Sequence, residues 1–187
     1  MGEPDTPVIQ VCRRSDGVGL FYRGQYNTVF GDPETGKTML TDYATVQELA
    51  VGGRVLRLDL EQNGANATIP RLHSLGAEYA TLADQERFLS IEPEDRLELT
   101  AVIAHMAEWR PTVVILDSLG VLVPMFGGNS NSSDEFTNCH HMVIKPLVSS
   151  GACASPSTIW QKAMHLDRTA QTERSRRNAL PGEPPSE

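Results

Sequence analysis

Apolar residues along this chain follow two alternating rhythms. The short runs Thr28, Val29 and Phe30, then Val55, Leu56, Leu58 and Leu60, then Val113 to Leu116, have the near-continuous character of strands buried on both faces of a parallel sheet. Between them, Met39, Tyr43, Val46 and Ala50 recur at helical spacing and stop at Gly52-Gly53. Leu99, Val102, Ile103, Met106 and Trp109 keep the i, i+3, i+4, i+7 rule until Pro111 closes the segment. Phe136, Cys139, His140, Val143 and Leu147 share one face of a further helix, opened by a capping box at Ser132 and Glu135 and kinked or ended by Pro146. Ala65 to Leu75 predicts a short helix stopping at Gly76, and Arg87 to Ile91 another strand; the residues between them are ambiguous. Gly17 to Asn27 is rich in glycine and aromatics, and Gly127 to Ser133 reads as a loop. The alternation predicts an α/β fold, a mostly parallel sheet flanked by helices.

The rhythm breaks after Cys153, where a next core strand is due. Ala154 to Glu187 holds almost no apolar run, carries Arg168, Arg174, Arg176 and Arg177, and ends in PGEPPSE, a composition that predicts a disordered tail. The expected organisation is therefore a core over 1–154 and a tail over 155–187, with the sheet missing its last strands.

Length and composition narrow the class further. At 187 residues, with 40% hydrophobic and 21% charged positions, the chain suits one ordinary domain. A formal net charge of −8 argues against a generally basic nucleic-acid surface while leaving room for a local patch. No apolar run approaches the ~18 residues of a membrane span, and the opening residues lack the order of a secretory signal, so a cytoplasmic location is expected. Cys12, Cys139 and Cys153 are scattered and lack CxxC spacing, which speaks for reduced thiols. Cys139, His140 and His141 adjoin, yet consecutive helical side chains diverge and cannot readily share a metal.

The chemistry concentrates in Gly31-Asp32-Pro33-Glu34-Thr35-Gly36-Lys37-Thr38, a match to G-x-x-x-x-G-K-[ST] set between a strand and a helix. Such a loop turns backbone N–H groups toward phosphate oxygens, and the helix behind it adds its positive end. Lys37 is then placed for the β and γ phosphates of a nucleoside triphosphate, with ATP the expected one, and Thr38 offers its hydroxyl to Mg²⁺. A chance glycine turn is the competing reading; the flanking strand and helix weigh against it. Asp117, about 80 residues further on at the end of an apolar strand, is the expected second Mg²⁺ residue, the alternative being a turn or helix-capping aspartate. Glu61 ends the strand after the loop helix, where open α/β sheets keep their ligand crevice, and there it would polarise an attacking water. Its alternative is a solvated loop carboxylate. Asp59 is the weaker candidate.

These motifs resemble the RecA-like P-loop ATPases, and most closely the RepA-like hexameric helicase ATPases of actinobacteria and their phages and plasmids. The resemblance runs from about Val11 to Cys153 and rests on RRSDGVGLFYRGQYNTVFGDPETGKT, RVLRLDLEQN, RLHSLGA, and PTVVILDS followed by VIKPLVSSGA. It implies Gly36, Lys37 and Thr38 at phosphate and Mg²⁺, Glu61 as catalytic base, Asp117 as the Walker B aspartate, a homohexameric ring, and a role in DNA replication or plasmid maintenance. The family continues with a strand ending in a D-H-L-A-K-like segment. Here Ser157 to Gly182, read with GC-rich codons two nucleotides into each codon, permits V-D-H-L-A-K and a further family-like text. A frameshift replacing the end of the chain is the expectation, and the gene's own codons decide it; codons that do not yield that peptide make the tail native.

Three functions follow as expectations. The first is an ATPase that couples γ-phosphate loss to movement of a neighbour. The second is a truncated module that binds nucleotide and turns over slowly or not at all. The third, a small-molecule kinase, needs a lid with paired arginines between Glu61 and Asp117, and Arg71, Arg87 and Arg96 are too scattered to form one.

Overall fold

A computed structural model describes residues 9–32, 34–128, 133–149 and 157–163. Strands β1 (Ile9–Arg13) and β2 (Gly19–Tyr22) pair antiparallel as a ribbon, and β3 (Tyr26–Gly31) then leads into helix α1 (Lys37–Ala50). After them come β4 (Val55–Asp59), α2 (Ala65–Ser74), α3 (Tyr79–Ala83), β5 (Phe88–Ile91), α4 (Arg96–Trp109), β6 (Val113–Asp117) and α5 (Leu119–Met125). The described chain continues with α6 (Ser133–Cys139), a π-helical turn (His140–Ile144), α7 (Lys145–Ser149) and β7 (Ser157–Ala163). Among the described residues the main sheet has five strands in the order β3-β7-β6-β4-β5, every pair parallel.

Side-chain parity divides the core into two layers, because successive residues of a strand face opposite sides. Leu56, Leu58, Val114 and Leu116 point to the layer closed by Leu99 and Met106 of α4, Leu122 of α5, and Val143 and Leu147 beyond them, all fully buried. Val55, Val113 and Ile115 point to the other layer, closed by Ala44 and Leu49 of α1, Leu72 of α2, and Val11 and Phe21 of the ribbon. The ribbon docks on α1 through Gln47, whose side-chain amide takes the Arg13 N–H at 2.6 Å and donates to the Arg13 carbonyl at 2.8 Å.

The predicted loop helix forms, but its buried face differs from the expected stripe. Met39 and Tyr43 are 48% and 42% exposed, whereas Asp42 and Thr45 are fully buried and Glu48 nearly so. Polar pairing decides the matter: Glu48 takes both terminal nitrogens of Arg23 (Nη1 at 3.2 Å, Nη2 at 2.8 Å), and Asp42 sits in an ionic network described below. The predicted kink before Pro146 is the π-helical turn, in which the Lys145 N–H bonds back five residues to the His140 carbonyl. Proline has no N–H for the Met142 carbonyl and its ring crowds it, so the turn widens.

Ser157–Ala163, part of the stretch read from composition as a tail, forms β7 and lies between β3 and β6, with Trp160 opposite both Thr28 and Leu116. Without it, β3 and β6 would each present a row of unpaired backbone groups. Thr158, Ile159 and Trp160 favour extended backbone. Gln161 and Lys162 after them hide that preference from a scan for apolar runs. Pro33, the loop 129–132 with the capping-box Ser132, Cys153 and the residues after 163 lie outside the described residues, and with them the frameshift question. Among the described residues no helix is long and apolar enough to cross a membrane.

Candidate functional site

Because β3, β4 and β6 run parallel, their carboxyl ends share one edge of the sheet, and Gly31, Glu61 and Asp117 are carried there together. Backbone conformation builds the loop. Glu34 (φ 64°) and Gly36 (φ 85°) are left-handed, a geometry that lets consecutive N–H groups converge on an anion. Gly31 makes a close approach: a Cβ there would lie 2.6 Å from the Thr35 hydroxyl, which itself donates to the Asp32 carbonyl at 2.8 Å. Lys37 is folded across the loop, its Nζ donating to the carbonyls of Gly31 (2.9 Å) and Asp32 (2.6 Å). Thr38 follows in the first turn of α1, half-buried. That turn has no acidic side chain and Gly36 supplies no side-chain cap, so among the described residues neither device neutralises the positive end of the helix.

Asp117, at the end of β6, is 3% exposed. Burial above all lifts its carboxyl to about 6, with Glu61, Asp59 and Asp42 adding to the rise and Arg57 opposing it. Its Oδ2 accepts from Arg57 Nη2 at 3.2 Å, and its Oδ1 takes no hydrogen bond among the described residues. Glu61 is exposed and held from one side, where Ser118 Oγ donates to its Oε1 at 2.6 Å. The residue after Asp117 thus orients Glu61 and ties the two carboxylates into one unit. Asp59 serves the turn that follows its strand. It accepts from both the backbone N–H and the side-chain amide of Asn63 at 3.0 Å, closing the turn in which Gln62 is left-handed.

Sequence reasoning missed three participants. Arg57, 1% exposed in the middle of β4, donates to Asp42 of α1 as well as to Asp117. Ser118 gave no sign because a serine after a strand reads as a turn. Arg57 did carry a signal, a cation in a strand otherwise buried on both faces, which needs a carboxylate partner; Asp42 is the fully buried acidic residue of α1.

The donor set suits magnesium. Hard oxygens are what the ion takes, and it usually keeps one or two protein ligands with water and phosphate completing the octahedron. The Thr38 hydroxyl and the Asp117 carboxylate are of that kind. Among the described residues no three His, Cys, Asp or Glu side chains gather into a cage that would hold a metal unaided.

Residues 11–149 match the family model of the AAA domain. Over 114 residues the chain is 30% identical to protein RecA 1 of Myxococcus xanthus, a match covering 59% of this chain and 30% of that protein. Over 136 residues it is 26% identical to protein RecA of Corynebacterium aurimucosum, covering 66% and 33% respectively. The matched stretch spans about a third of the length of these curated relatives.

Proposed function

The chain belongs to the AAA domain family, among the RecA-like P-loop ATPases, and from that membership we propose that it binds ATP with Mg²⁺ at Gly31 to Thr38 and hydrolyses it to ADP and phosphate. The observation that carries this reading is the pairing of two features at one sheet edge: a left-handed glycine loop with Lys37 across it, and Asp117 joined through Ser118 to Glu61.

Each residue has a distinct role. The loop backbone and the start of α1 bind the phosphates, and Lys37 exchanges two carbonyl partners for phosphate oxygens. Thr38 and Asp117 would hold Mg²⁺, which when bound neutralises charge developing on the phosphates. Glu61, fixed by Ser118 yet open to solvent, accepts a hydrogen bond from the attacking water and aims it at the γ-phosphate. The RepA-like resemblance extends the proposal to a homohexameric ring acting in replication or plasmid maintenance, although a net charge of −8 supplies no generally basic surface for DNA.

The test is ATP binding and phosphate release by the purified chain with Mg²⁺, beside Lys37→Ala. Hydrolysis lost in the variant supports the ATPase. Binding without turnover points to the nucleotide-binding module instead, and absence of binding refutes the site.

A further inference from the structure

We propose that Arg57 is a positioning residue for the metal half of this site: its guanidinium, clamped between Asp42 on α1 and Asp117 on β6, sets where the Asp117 carboxylate stands relative to Thr38. This rests on reading Thr38 and Asp117 as the magnesium residues.

Arg57 points to the α1 side of the sheet, as do Val55 and Asp59 by parity, while Leu56 and Leu58 face the other layer. Its Nη1 donates to Asp42 Oδ1 at 2.6 Å and its Nη2 to Asp117 Oδ2 at 3.2 Å. A guanidinium is planar and rigid, so two acceptors on its two terminal nitrogens are held at a nearly fixed separation, which a lysine ammonium cannot impose. Asp42 is in turn immobilised. It is fully buried, and its second oxygen accepts from Arg71 Nε of α2 at 2.8 Å. Thr38 and Asp42 are four positions apart, so both lie on one face of α1, a turn apart. A stiff path therefore runs from Thr38 along α1 to Asp42, through Arg57, to Asp117. The contact occupies Oδ2 of Asp117 and leaves Oδ1 for the ion.

Stability alone is a poor reason for this network. Buried ion pairs are often no better than apolar residues of the same volume, and here the buried Arg57 Nε and Arg71 Nη2 have no hydrogen-bond partner among the described residues. Leucines at 57 and 42 would fill that space without burying a guanidinium, at the loss of one acceptor for the part-exposed Arg71. What they could not do is locate Asp117.

The experiment titrates Mg²⁺ against binding of a fluorescent ATP analogue, for the wild-type chain, Arg57→Lys, and the double variant Arg57→Leu with Asp42→Leu, with a melting curve for each. Affinity in EDTA should stay within about twofold of wild type, because the loop and Lys37 are untouched. The Mg²⁺ concentration giving half of the added affinity should rise by about tenfold or more in both variants, while the double variant still melts cooperatively. A half-point within twofold of wild type in a folded variant overturns the proposal. So does the failure of both variants to melt cooperatively, since the guanidinium would then serve the fold. Wild-type protein whose affinity ignores Mg²⁺ fails earlier, at the assignment of Thr38 and Asp117, and the inference falls with it.

Discussion

Ser118→Ala isolates the one contact that holds Glu61. Ser118 is 2% exposed and its hydroxyl donates to Glu61 Oε1 at 2.6 Å. A serine at the N-cap of a helix ordinarily spends its oxygen on a backbone N–H, but Ser118 precedes α5 and makes no such cap bond. Removing the hydroxyl therefore costs no helix cap, and the melting temperature should fall by no more than about 2–4 °C, the worth of one exposed hydrogen bond. Hydrogen bonds to a charged group contribute roughly 1.5–3 kcal/mol. Glu61 is exposed and water replaces much of what is lost, which brings the figure below that range, to about 1 kcal/mol. If that orientation matters only as water attacks, the loss falls on the transition state and kcat drops about fivefold with KM unchanged. Steady-state phosphate release over a range of ATP concentrations reads both constants. An unchanged kcat, or a loss appearing wholly in KM, would refute the claim that Ser118 orients a working Glu61.

Other outcomes follow from the same geometry. Gly36→Ala meets no atom within 4 Å, so its penalty is the left-handed backbone at φ 85°. That is about 1 kcal/mol, read as a fall of about 2–4 °C in a melting curve. Asp117, lifted by burial to about 6, binds its proton more tightly folded than unfolded. Stability of the nucleotide-free chain should thus decline as pH rises from about 4 to 6, while Mg²⁺-dependent nucleotide affinity, which needs the ionised form, should fall about tenfold by pH 5. Asp117→Asn should flatten both profiles, and chemical denaturation and analogue binding across that range check them. Burial pushes the Cys12 thiol up to about 11 and raises Cys139 as well. At pH 8, site-resolved mass spectrometry should find Cys12 alkylated about a hundredfold more slowly in the folded chain than in denaturant.

The strand, glycine loop and helix at Gly31 to Thr38 were legible because their instructions are local. Glycines at 31 and 36, a lysine and a threonine one after the other, and the strand and helix on either side lie within a dozen or so residues, about the range over which backbone preference acts. The parallel strands were legible too, since burial on both faces forces the continuous runs at Val55 and Val113. Tertiary structure alone decided which charges meet. Arg57 reaches Asp42 and Asp117 across 15 and 60 positions, and Ser118 reaches Glu61 across 57. No periodicity carries such pairings, because they depend on which strands become neighbours and which face of α1 turns inward. The same holds for β7: Ser157–Ala163 has a modest strand preference of its own, and it joins the sheet between β3 and β6 because two strands there leave backbone hydrogen bonds to be made.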